Sequence, residues 1–253
     1  MSFTKLTSQI ILVFTLLGIT AYINNVLAKE LVIGVEAVSY YPLYDFSTND
    51  ISKPSFTKEL LSDFFESHHY PYKLLPLPIK RFDKWFVEEN IDFKFPDNVR
   101  WRSDNSLNIT FSDPVLLLEA GAYVLKKNKN IQRHEVKKLG TILGFYPTLW
   151  QEEVKNKQVS LLEETNPIAV VKHLLHGNIQ ATNIDANVIR HNLSLLGKNE
   201  AVVLSPHIHS ELFYYHLSSI KYPQIIAEFN QYLKDNKQKL DELKRKYQLL
   251  NKP

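Results

Sequence analysis

Two arginines, a tryptophan and an aspartate are side chains of this sequence that could hold a small charged molecule. Arg100 and Arg102 flank Trp101, and a guanidinium can pair with a carboxylate through two parallel hydrogen bonds. Asp185 supplies a carboxylate, the natural partner of an ammonium group, which also favours aromatic faces. Such contacts replace the hydration that a charged solute loses on burial, because an unpaired buried charge is very costly. These residue types are typical of non-covalent binding.

Histidine and carboxylate pairs give no catalytic or metal-binding pattern. His207 and His209 are two positions apart, so an extended segment places both imidazoles on one face. A metal site needs three or four converging ligands, and the sequence shows only this pair. The adjacent acids Glu88 and Glu89 do not face one another on a helix. Since no G-x-S-x-G or H-E-x-x-H motif occurs, we expect neither a metal site nor covalent or hydrolytic catalysis.

The composition argues against further classes of function. The chain has 253 residues, with 30 Lys and Arg against 27 Asp and Glu and a net charge of +3. No dense basic block occurs, so nothing suggests nucleic acid as the main partner. The absence of cysteine excludes disulfides, thiolate zinc sites, cysteine nucleophiles and a lipid-modified N-terminal cysteine. Neither G-x-G-x-x-G nor G-K-[ST] is present, which makes nucleotide chemistry of those types improbable.

The first thirty residues predict export. Lys5 precedes a long apolar run, 10–23, and the small-residue end Val26-Leu-Ala28 follows. This order is typical of a cleaved secretory signal peptide, which we assign to residues 1–28. The alternative is a membrane anchor, since the uncharged stretch is long enough to span a bilayer. An exported chain without disulfides favours a periplasmic location.

The rest of the chain alternates between strand and helix patterns. Apolar and β-branched runs predict strands at 30–35, 70–75, 120–125, 138–143, 179–184, 201–204 and 212–217. Apolar residues at helical spacing predict helices from Ser55, at 80–89, at 168–176 and in one or two segments after Pro223. The helix at 168–176 has the clearest ends, with Asn166 as cap, Pro167 in the first turn and Gly177 beyond. This alternation is typical of α/β architecture.

Several ordered segments of the chain carry a family resemblance. They are 31–35 with the aromatic loop 40–44, 78–92, Asn108-Ile-Thr-Phe-Ser-Asp-Pro114, 138–144 and 176–185. Together they resemble the periplasmic solute-binding proteins that serve amino-acid and polar-compound ABC importers, bacterial extracellular solute-binding protein family 3. The segment 108–114 is the most specific match, being similar to the family's hydrophobic-x-Phe-Ser/Thr-Asp-Pro segment. The shared order of the segments carries the resemblance.

The resemblance implies a two-lobed α/β fold of the periplasmic-binding-protein type II. Two mixed sheets flanked by helices would enclose a ligand cleft, and the lobes would close about a hinge. We expect lobe 1 to comprise residues 29–120 and 212–253, and lobe 2 to be the inserted residues 121–211. No low-complexity linker separates the halves, so strands must join them.

The resemblance also implies a set of ligand contacts. These are the loop tyrosines Tyr40, Tyr41 and Tyr44, the segment Arg100, Trp101 and Arg102, the turn residues Phe145 and Tyr146, and Asp185. At Gly144, where the family has a ligand-contacting turn, free backbone N–H groups could meet an anion. Counted without gaps from Ile109, the family's arginine position falls on Asn105, so an arginine serves only if the loop is longer here.

Each of these contacts has a structural alternative. The arginines can form surface salt bridges, and the tyrosines, Phe145 and Tyr146 can cover the core. Asp185 can cap the helix at 186–193, and one residue could do both. The stretch Pro96-Asp-Asn98 replaces small hydroxyl residues common in the family, which makes an α-amino-acid ligand less certain.

The sequence therefore predicts a monomeric periplasmic protein that binds a small polar, amino-acid-like solute without catalysis or cofactor. A membrane ABC permease or a membrane sensor would be its partner. Two alternatives stay open. One is a lyase-type enzyme on the same scaffold, with His207, His209 or Asp185 transferring protons. The other is an interaction module that has lost ligand binding, which the displaced arginine spacing would suit.

Overall fold

The computed structural model describes residues 29–47, 53–101 and 106–249. Its strands are β1 (Leu31–Glu36), β2 (Ser39–Tyr40), β3 (Tyr44–Asp45), β4 (Tyr72–Leu77), β5 (Phe93–Asp97), β6 (Thr110–Phe111), β7 (Leu116–Ala120), β8 (Tyr123–Leu125), β9 (Lys138–Ile142), β10 (Ser160–Glu164), β11 (Ala181–Thr182), β12 (Val202–Leu204) and β13 (Glu211–Ser219). Its α-helices are α1 (Phe56–Ser67), α2 (Trp85–Glu88), α3 (Gln151–Lys155), α4 (Pro167–Leu175), α5 (Ala186–Leu195), α6 (Pro223–Asp235) and α7 (Lys237–Lys246). The predicted signal peptide lies outside the described residues.

The strands form two mixed sheets and a small ribbon. The first sheet has the order β4-β1-β5-β13-β6, with β7 also paired to β13. Strand β1 runs parallel to β4 and β5, whereas β13 runs antiparallel to β5, β6 and β7. The second sheet has the order β10-β9-β11-β8-β12, with β9 parallel to β10 and β11. Every strand of the second sheet lies between Tyr123 and Leu204, and the first sheet uses the chain on either side.

Buried apolar side chains hold the first sheet against the helices that cover it. Ile33 and Val35 of β1 are fully buried, as expected for a strand of a parallel sheet covered on both faces. The apolar face of α1 contributes Leu61 and Phe64 to the same core. In α6, Ile226 and Phe229 pack there too, while α7 has no buried residue.

Helix α4 begins and ends where the sequence predicts. The Asn166 side chain accepts a hydrogen bond from the backbone N–H of Ala169, and Pro167 occupies the first turn. Gly177 follows with a φ of +76°, a conformation that glycine adopts without strain. The helix lies close to β9 because Gly140 has no side chain. A Cβ there would lie 2.7 Å from Val170 of α4.

Two predicted elements are divided in the structure. Residues 79–84 form a 3-10 helix that leads into the short α2, instead of one helix over 80–89. Phe82 and Trp85 are three positions apart with ring centroids 4.9 Å apart, which suits a period of three residues. The strand predicted at 120–125 is also split, because the chain leaves the first sheet after β7 and enters the second at β8.

The remaining elements keep their predicted type. Only residues 181–182 of the strand predicted at 179–184 pair with neighbours. The segment after Pro223 contains two helices, α6 and α7. Across the described ranges, no helix combines the length and the apolar character needed to cross a membrane.

Candidate ligand-binding cleft

A cavity of about 1010 Å³ lies between the two sheets. Its walls hold residues that follow the carboxyl ends of parallel strands: Asn98 after β5, Gly144 after β9 and Asn183 after β11, with Glu36 as the last residue of β1. In open α/β sheets, this is the edge at which ligands bind. The volume is at the upper end of the range for small-molecule pockets. The cavity is therefore the candidate functional site.

The two sides of this cleft touch each other across Tyr40. The backbone N–H of Asp185 donates a hydrogen bond to the Tyr40 hydroxyl over 2.8 Å. The rings of Tyr40 and Phe145 meet edge to face, with centroids 5.2 Å apart. At the mouth, Lys80 and Glu163 form an ion pair of 3.8 Å. The structure therefore shows the two lobes in contact.

Gly144 makes a second close approach between the lobes. Its φ is +90°, and a Cβ there would lie 3.1 Å from both the Cβ of Ile79 and the backbone nitrogen of Lys80. Two backbone N–H groups of this turn have partners within the protein. Gly144 donates to the Glu163 carboxylate at 3.2 Å, and Phe145 donates to the Ile142 carbonyl at 2.8 Å. Here the turn serves contact between lobes.

Glu36 is a wall residue of the cleft that the sequence reasoning missed. It is only 2% exposed, and the hydroxyl of Tyr44 donates a hydrogen bond of 2.6 Å to its carboxylate. Burial raises the pKa of Glu36 to about 8, with a smaller contribution from Asp97. The available signal was an acid at the carboxyl end of the first apolar strand, where the cleft edge lies.

Behind this wall lies a buried ion pair. Lys94 and Asp97 approach to 3.3 Å, and the Ser218 hydroxyl donates to Asp97 at 2.5 Å. Burial lowers the pKa of Lys94 and raises the pKa of Asp97, and the attraction between the two charges opposes both changes. Asn98 follows the pair, accepts from the backbone of Arg100 at 2.8 Å and so fixes the start of the next turn.

The arginine and tryptophan of that turn line the cavity. The Arg100 guanidinium pairs with Glu211 at 2.6 Å, which is the salt-bridge alternative considered for it. Trp101 meets the rings of Phe82 and Tyr215 edge to face. Arg102 and Asn105 lie outside the described residues. Trp101 therefore gives the cleft an aromatic wall, while Arg100 has an acidic partner.

Asp185 lines the cleft and caps a helix at the same time. It is 5% exposed, and its carboxylate accepts from the backbone N–H of Asn187 at 2.8 Å and from the Asn187 side chain at 2.9 Å. It stands at the N-terminus of α5, where the helix dipole favours negative charge. The structure thus shows the capping role directly, beside a position on the cavity wall.

The three loop tyrosines have different surroundings. Tyr40 lines the cleft, whereas Tyr44 is fully buried behind it and acts through its hydrogen bond to Glu36. Tyr41 lies against a second cavity of about 720 Å³, with its ring 4.5 Å from that of His191. Phe145 and Tyr146 both line the cleft, and Tyr146 is 68% exposed.

Two buried polar atoms on the cavity-lining residues lack hydrogen-bond partners within the part of the chain that the structure describes. They are the indole nitrogen of Trp150 and the side-chain oxygen of Asn183. A buried donor or acceptor without a partner is uncommon and costs free energy. A polar solute or an ordered water can supply the missing hydrogen bonds. Neither residue was among the sequence candidates, because only the fold brings them to the cleft.

The described residues contain no group of three or more His, Cys, Asp or Glu side chains positioned to hold a metal ion. His207 and His209 therefore have no third ligand of those types within these ranges.

Comparison with known proteins gives matches in structure. No family model matches the sequence, and the search of curated proteins found no match. An ancestral arginine-binding protein bound to arginine has a TM-score of 0.67 and 17% identity, over 86% of this chain and 97% of that chain. A histidine kinase sensor domain with similarity to periplasmic binding proteins has a TM-score of 0.67 and 12% identity, over 89% and 98%. An ancestral amino acid-binding protein, a precursor of cyclohexadienyl dehydratase, has a TM-score of 0.64 and 18% identity, over 86% and 95%.

These similarities, at low sequence identity, concern the fold. The chain has the two-lobed α/β fold of the periplasmic binding proteins, so the predicted fold class is confirmed. The cavity described above occupies the cleft between the lobes.

Proposed function

We propose that this protein is a solute-binding protein of the family that serves amino-acid and polar-compound importers. It captures a small polar, amino-acid-like molecule by closing its lobes, without chemical change to the solute. The lobes comprise residues 29–120 with 212–253 and the inserted residues 121–211, and the membership of strands in the two sheets supports these boundaries.

The observation that carries this proposal is a cavity, lined by aromatic and charged side chains, whose walls come from both lobes. Tyr40, Trp101 and Glu36 face it from one side, and Phe145 and Asp185 from the other. Contacts between the walls, such as that of Tyr40 with Asp185, give closure a structural basis. A solute that touches both walls stabilises the closed form, because it binds that form better than the open one.

The partner we propose is a membrane protein that reads the closed lobes. The structural neighbours include a substrate-binding protein of an ABC uptake transporter and the sensor domain of a histidine kinase, so an ABC permease and a membrane sensor are both supported as partner classes. We further propose that residues 1–28 direct export to the periplasm and that the protein acts there as a monomer.

Direct identification of the bound solute tests this function. The full-length chain is expressed in a Gram-negative host, purified from the periplasmic fraction, denatured, and analysed by mass spectrometry for released small molecules. Intact mass reports whether the first 28 residues are removed. We expect a small polar solute at near-stoichiometric amount, and re-addition at 100 times its dissociation constant should stabilise the protein by about 2.7 kcal/mol.

Two results would contradict the proposal. One is the absence of any released solute together with no thermal shift by amino acids, polyamines and dicarboxylates. The other is recovery of the whole chain, with its first 28 residues, in the cytoplasm.

An enzyme on the same scaffold is the second candidate. A buried carboxyl with a pKa of about 8 in a cleft is suited to proton transfer near neutral pH. One structural neighbour is a precursor of a dehydratase, although most neighbours are binding proteins. Incubation of the released solute with fresh protein distinguishes the two, since nuclear magnetic resonance spectra of the solute stay unchanged if the protein only binds.

A further inference from the structure

The second sheet carries a row of lysines along the edge that lies opposite the cleft. The cleft is at the carboxyl ends of β9 and β11, so the other edge consists of the starts of β9, β10 and β11 and the end of the antiparallel β8. Six exposed lysines lie at this edge. We call them the lysine edge: Lys127, Lys129, Lys137, Lys138, Lys157 and Lys198.

Backbone hydrogen bonds place the lysines of β9 beside those of its neighbouring strands. The Lys137 carbonyl accepts at 2.9 Å from the N–H of Ser160, which begins β10 three positions after Lys157. The Lys138 carbonyl accepts at 3.1 Å from the N–H of Gln180, the residue before β11. The starts of these three strands are therefore level with one another.

The other half of the edge is joined in the same way. The N–H of Lys126, which follows β8, donates to the Ala201 carbonyl at 2.8 Å, and the Ala201 N–H donates to the Lys198 carbonyl at 3.2 Å. Lys127 comes next in the chain, so it lies close to Lys198. The fold thus gathers at one edge lysines that the sequence spreads over residues 127–198, where no continuous basic block marks them.

These positive charges lack acidic partners within the part of the chain that the structure describes. No ion pair there includes any of the six lysines. Nearby acids are engaged elsewhere, since Glu200 pairs with Lys126 and Glu153 pairs with Arg133. Glu135 caps a 3-10 turn. The lysine edge therefore has an excess of positive charge.

The opposite edge of the same sheet is acidic. Glu163 and Glu164 end β10, and Asp185 follows β11. The sheet thus has carboxylates at the cleft and ammonium groups at the far edge. An anionic surface that binds the lysine edge leaves the cleft on the side facing away from it.

The side chains at this edge favour a lipid surface over a nucleic acid. Lysine ammonium groups are flexible point charges without the planar fork by which arginine binds single phosphates. The large aromatic side chains exposed in the described ranges, Tyr146 and Tyr214, lie elsewhere, so none can stack on a base here. Leu195 ends α5 three positions before Lys198 and is 64% exposed, which suits entry of an apolar side chain into a lipid interface.

We propose that the lysine edge binds the anionic phospholipid surface of a membrane and holds the protein there with its cleft facing the solution. This inference goes beyond the proposed function, because it does not depend on which solute the cleft takes. The attraction is electrostatic, and each lysine close to an anionic bilayer contributes about fivefold in affinity. It falls off within a Debye length, about 8 Å at physiological ionic strength.

Flotation with lipid vesicles tests the proposal. Protein recovered from the periplasmic fraction is mixed, at physiological ionic strength, with vesicles of phosphatidylcholine alone or of equal amounts of phosphatidylcholine and phosphatidylglycerol. We expect the protein to bind the mixed vesicles and not those of phosphatidylcholine alone. Salt at about 1 M, where the Debye length is about 3 Å, should release it.

Two triple variants with the same change in net charge assign the binding to its surface. The first removes half of the lysine edge and should bind the mixed vesicles about 100-fold more weakly: Lys127→Gln, Lys137→Gln and Lys157→Gln. The control removes three exposed basic residues outside residues 121–211 that form no ion pair in the described ranges: Lys53→Gln, Lys237→Gln and Arg245→Gln. It should bind like the wild type, because distant charges are screened. Thermal melting checks that both variants are folded.

Four results would overturn the inference. They are failure to bind the mixed vesicles, equal binding to vesicles of phosphatidylcholine alone, and equal loss of binding in the two triple variants. The fourth is binding of the lysine edge to single-stranded DNA and not to the vesicles, which would make the partner an anionic polymer. The solute released for mass spectrometry is the same in every case, so failure here is distinguishable from failure of the proposed function.

Discussion

The pair formed by Glu36 and Tyr44 shows how the environment of one residue changes its chemistry. Glu36 ends an apolar strand, so its carboxyl group is placed in the interior with a phenol as its hydrogen-bond partner. Burial raises its pKa to about 8, well above the ordinary value for a glutamate. A carboxyl group with this pKa changes its charge in the mildly alkaline range.

The raised pKa of Glu36 gives a prediction about stability. Between pH 4.5, the ordinary glutamate pKa, and pH 8, the folded protein keeps a proton that the unfolded chain has lost. Stability from this group is complete at low pH and is lost as the pH rises through the window, by up to about 1.4 kcal/mol per unit. Glu36→Gln, which cannot ionise, should match the wild type at pH 4 and exceed it at pH 8.

Urea denaturation of the wild type and Glu36→Gln at pH 4, 6 and 8 measures the difference between their free energies of unfolding. Taking this difference removes the contributions of the other titrating groups, which both proteins share. Parallel stability profiles for the two proteins would show that Glu36 titrates normally.

Asp185 combines a capping role with a place on the cleft wall, and two variants separate them. Asp185→Ala removes the acceptor of the Asn187 N–H and should cost about 1 kcal/mol of unfolding free energy. Asp185→Asn keeps a good cap but removes the charge, so stability should change little. If the carboxylate contacts the solute, Asp185→Asn should weaken binding of the solute identified by mass spectrometry by tenfold or more.

Chemical denaturation gives the free energy of unfolding of each variant, and titration calorimetry on the same samples gives its affinity for the solute. Equal affinities for the wild type and Asp185→Asn would restrict Asp185 to the capping role.

At the scale of elements, helix α4 is a segment whose ends are determined by the local sequence. Asn166, Pro167 and Gly177 each satisfy a requirement of a helix end that does not depend on the rest of the fold. By contrast, the 3-10 turn at residues 79–84 replaces the start of a predicted α-helix. Trp85 is buried there and its indole donates to the Pro78 carbonyl at 3.2 Å, so tertiary packing selects the tighter turn.

The cap of α4 provides a prediction at this scale. Asn166→Ala removes the acceptor for the Ala169 N–H and should lower the free energy of unfolding by about 1 kcal/mol. Asn166→Ser retains a capping side chain, so its free energy of unfolding should stay within a few tenths of a kcal/mol of the wild-type value. Urea midpoints of the three proteins measure the effect. Equal midpoints for the Ala and Ser variants would contradict it.

At the scale of the whole molecule, the contacts across the cleft favour the closed form in the hinge closure that we propose. Tyr40 is central to them, since its hydroxyl accepts from the Asp185 N–H and its ring meets Phe145. Behind the cleft, the second cavity also lies between lobes, with Tyr41 facing His191. The two cavities share no lining residue. Tyr40 and Asp185, which contact each other, line the first cavity, and the residues that follow them in sequence, Tyr41 and Ala186, line the second.

Loss of the Tyr40 hydroxyl should favour the open form. In Tyr40→Phe the Asp185 N–H loses its acceptor on closure, so the solute-free population should shift toward open. Because the chain contains no cysteine, spin labels can be placed specifically by Val87→Cys and Leu195→Cys, two exposed positions, one in each of the proposed lobes. Pulsed dipolar spectroscopy then measures the distance distribution.

Tyr72→Phe is the control, because its hydroxyl donates to Ser62 within one lobe. The distribution should shift for Tyr40→Phe and not for Tyr72→Phe. Superposable distributions for all three proteins would show that the Tyr40 hydroxyl does not contribute to closure.

The sequence by itself determined the elements whose information is local. Apolar periodicity located most strands and helices, capping residues located the ends of α4, and the order of short motifs predicted the two-lobed fold. It also placed Tyr40, Trp101, Phe145, Tyr146 and Asp185 in segments that the structure brings to the cleft.

Only the tertiary structure decided how neighbouring side chains divide between cleft, core and surface. Tyr40, Tyr41 and Tyr44 share one loop and yet face the cleft, a second cavity and the core. Tyr40 meets Asp185 across 145 positions of sequence. Local spacing records which face of an element is apolar, but the approach of two sheets, and hence the burial of Glu36 between them, depends on packing among residues far apart in the chain.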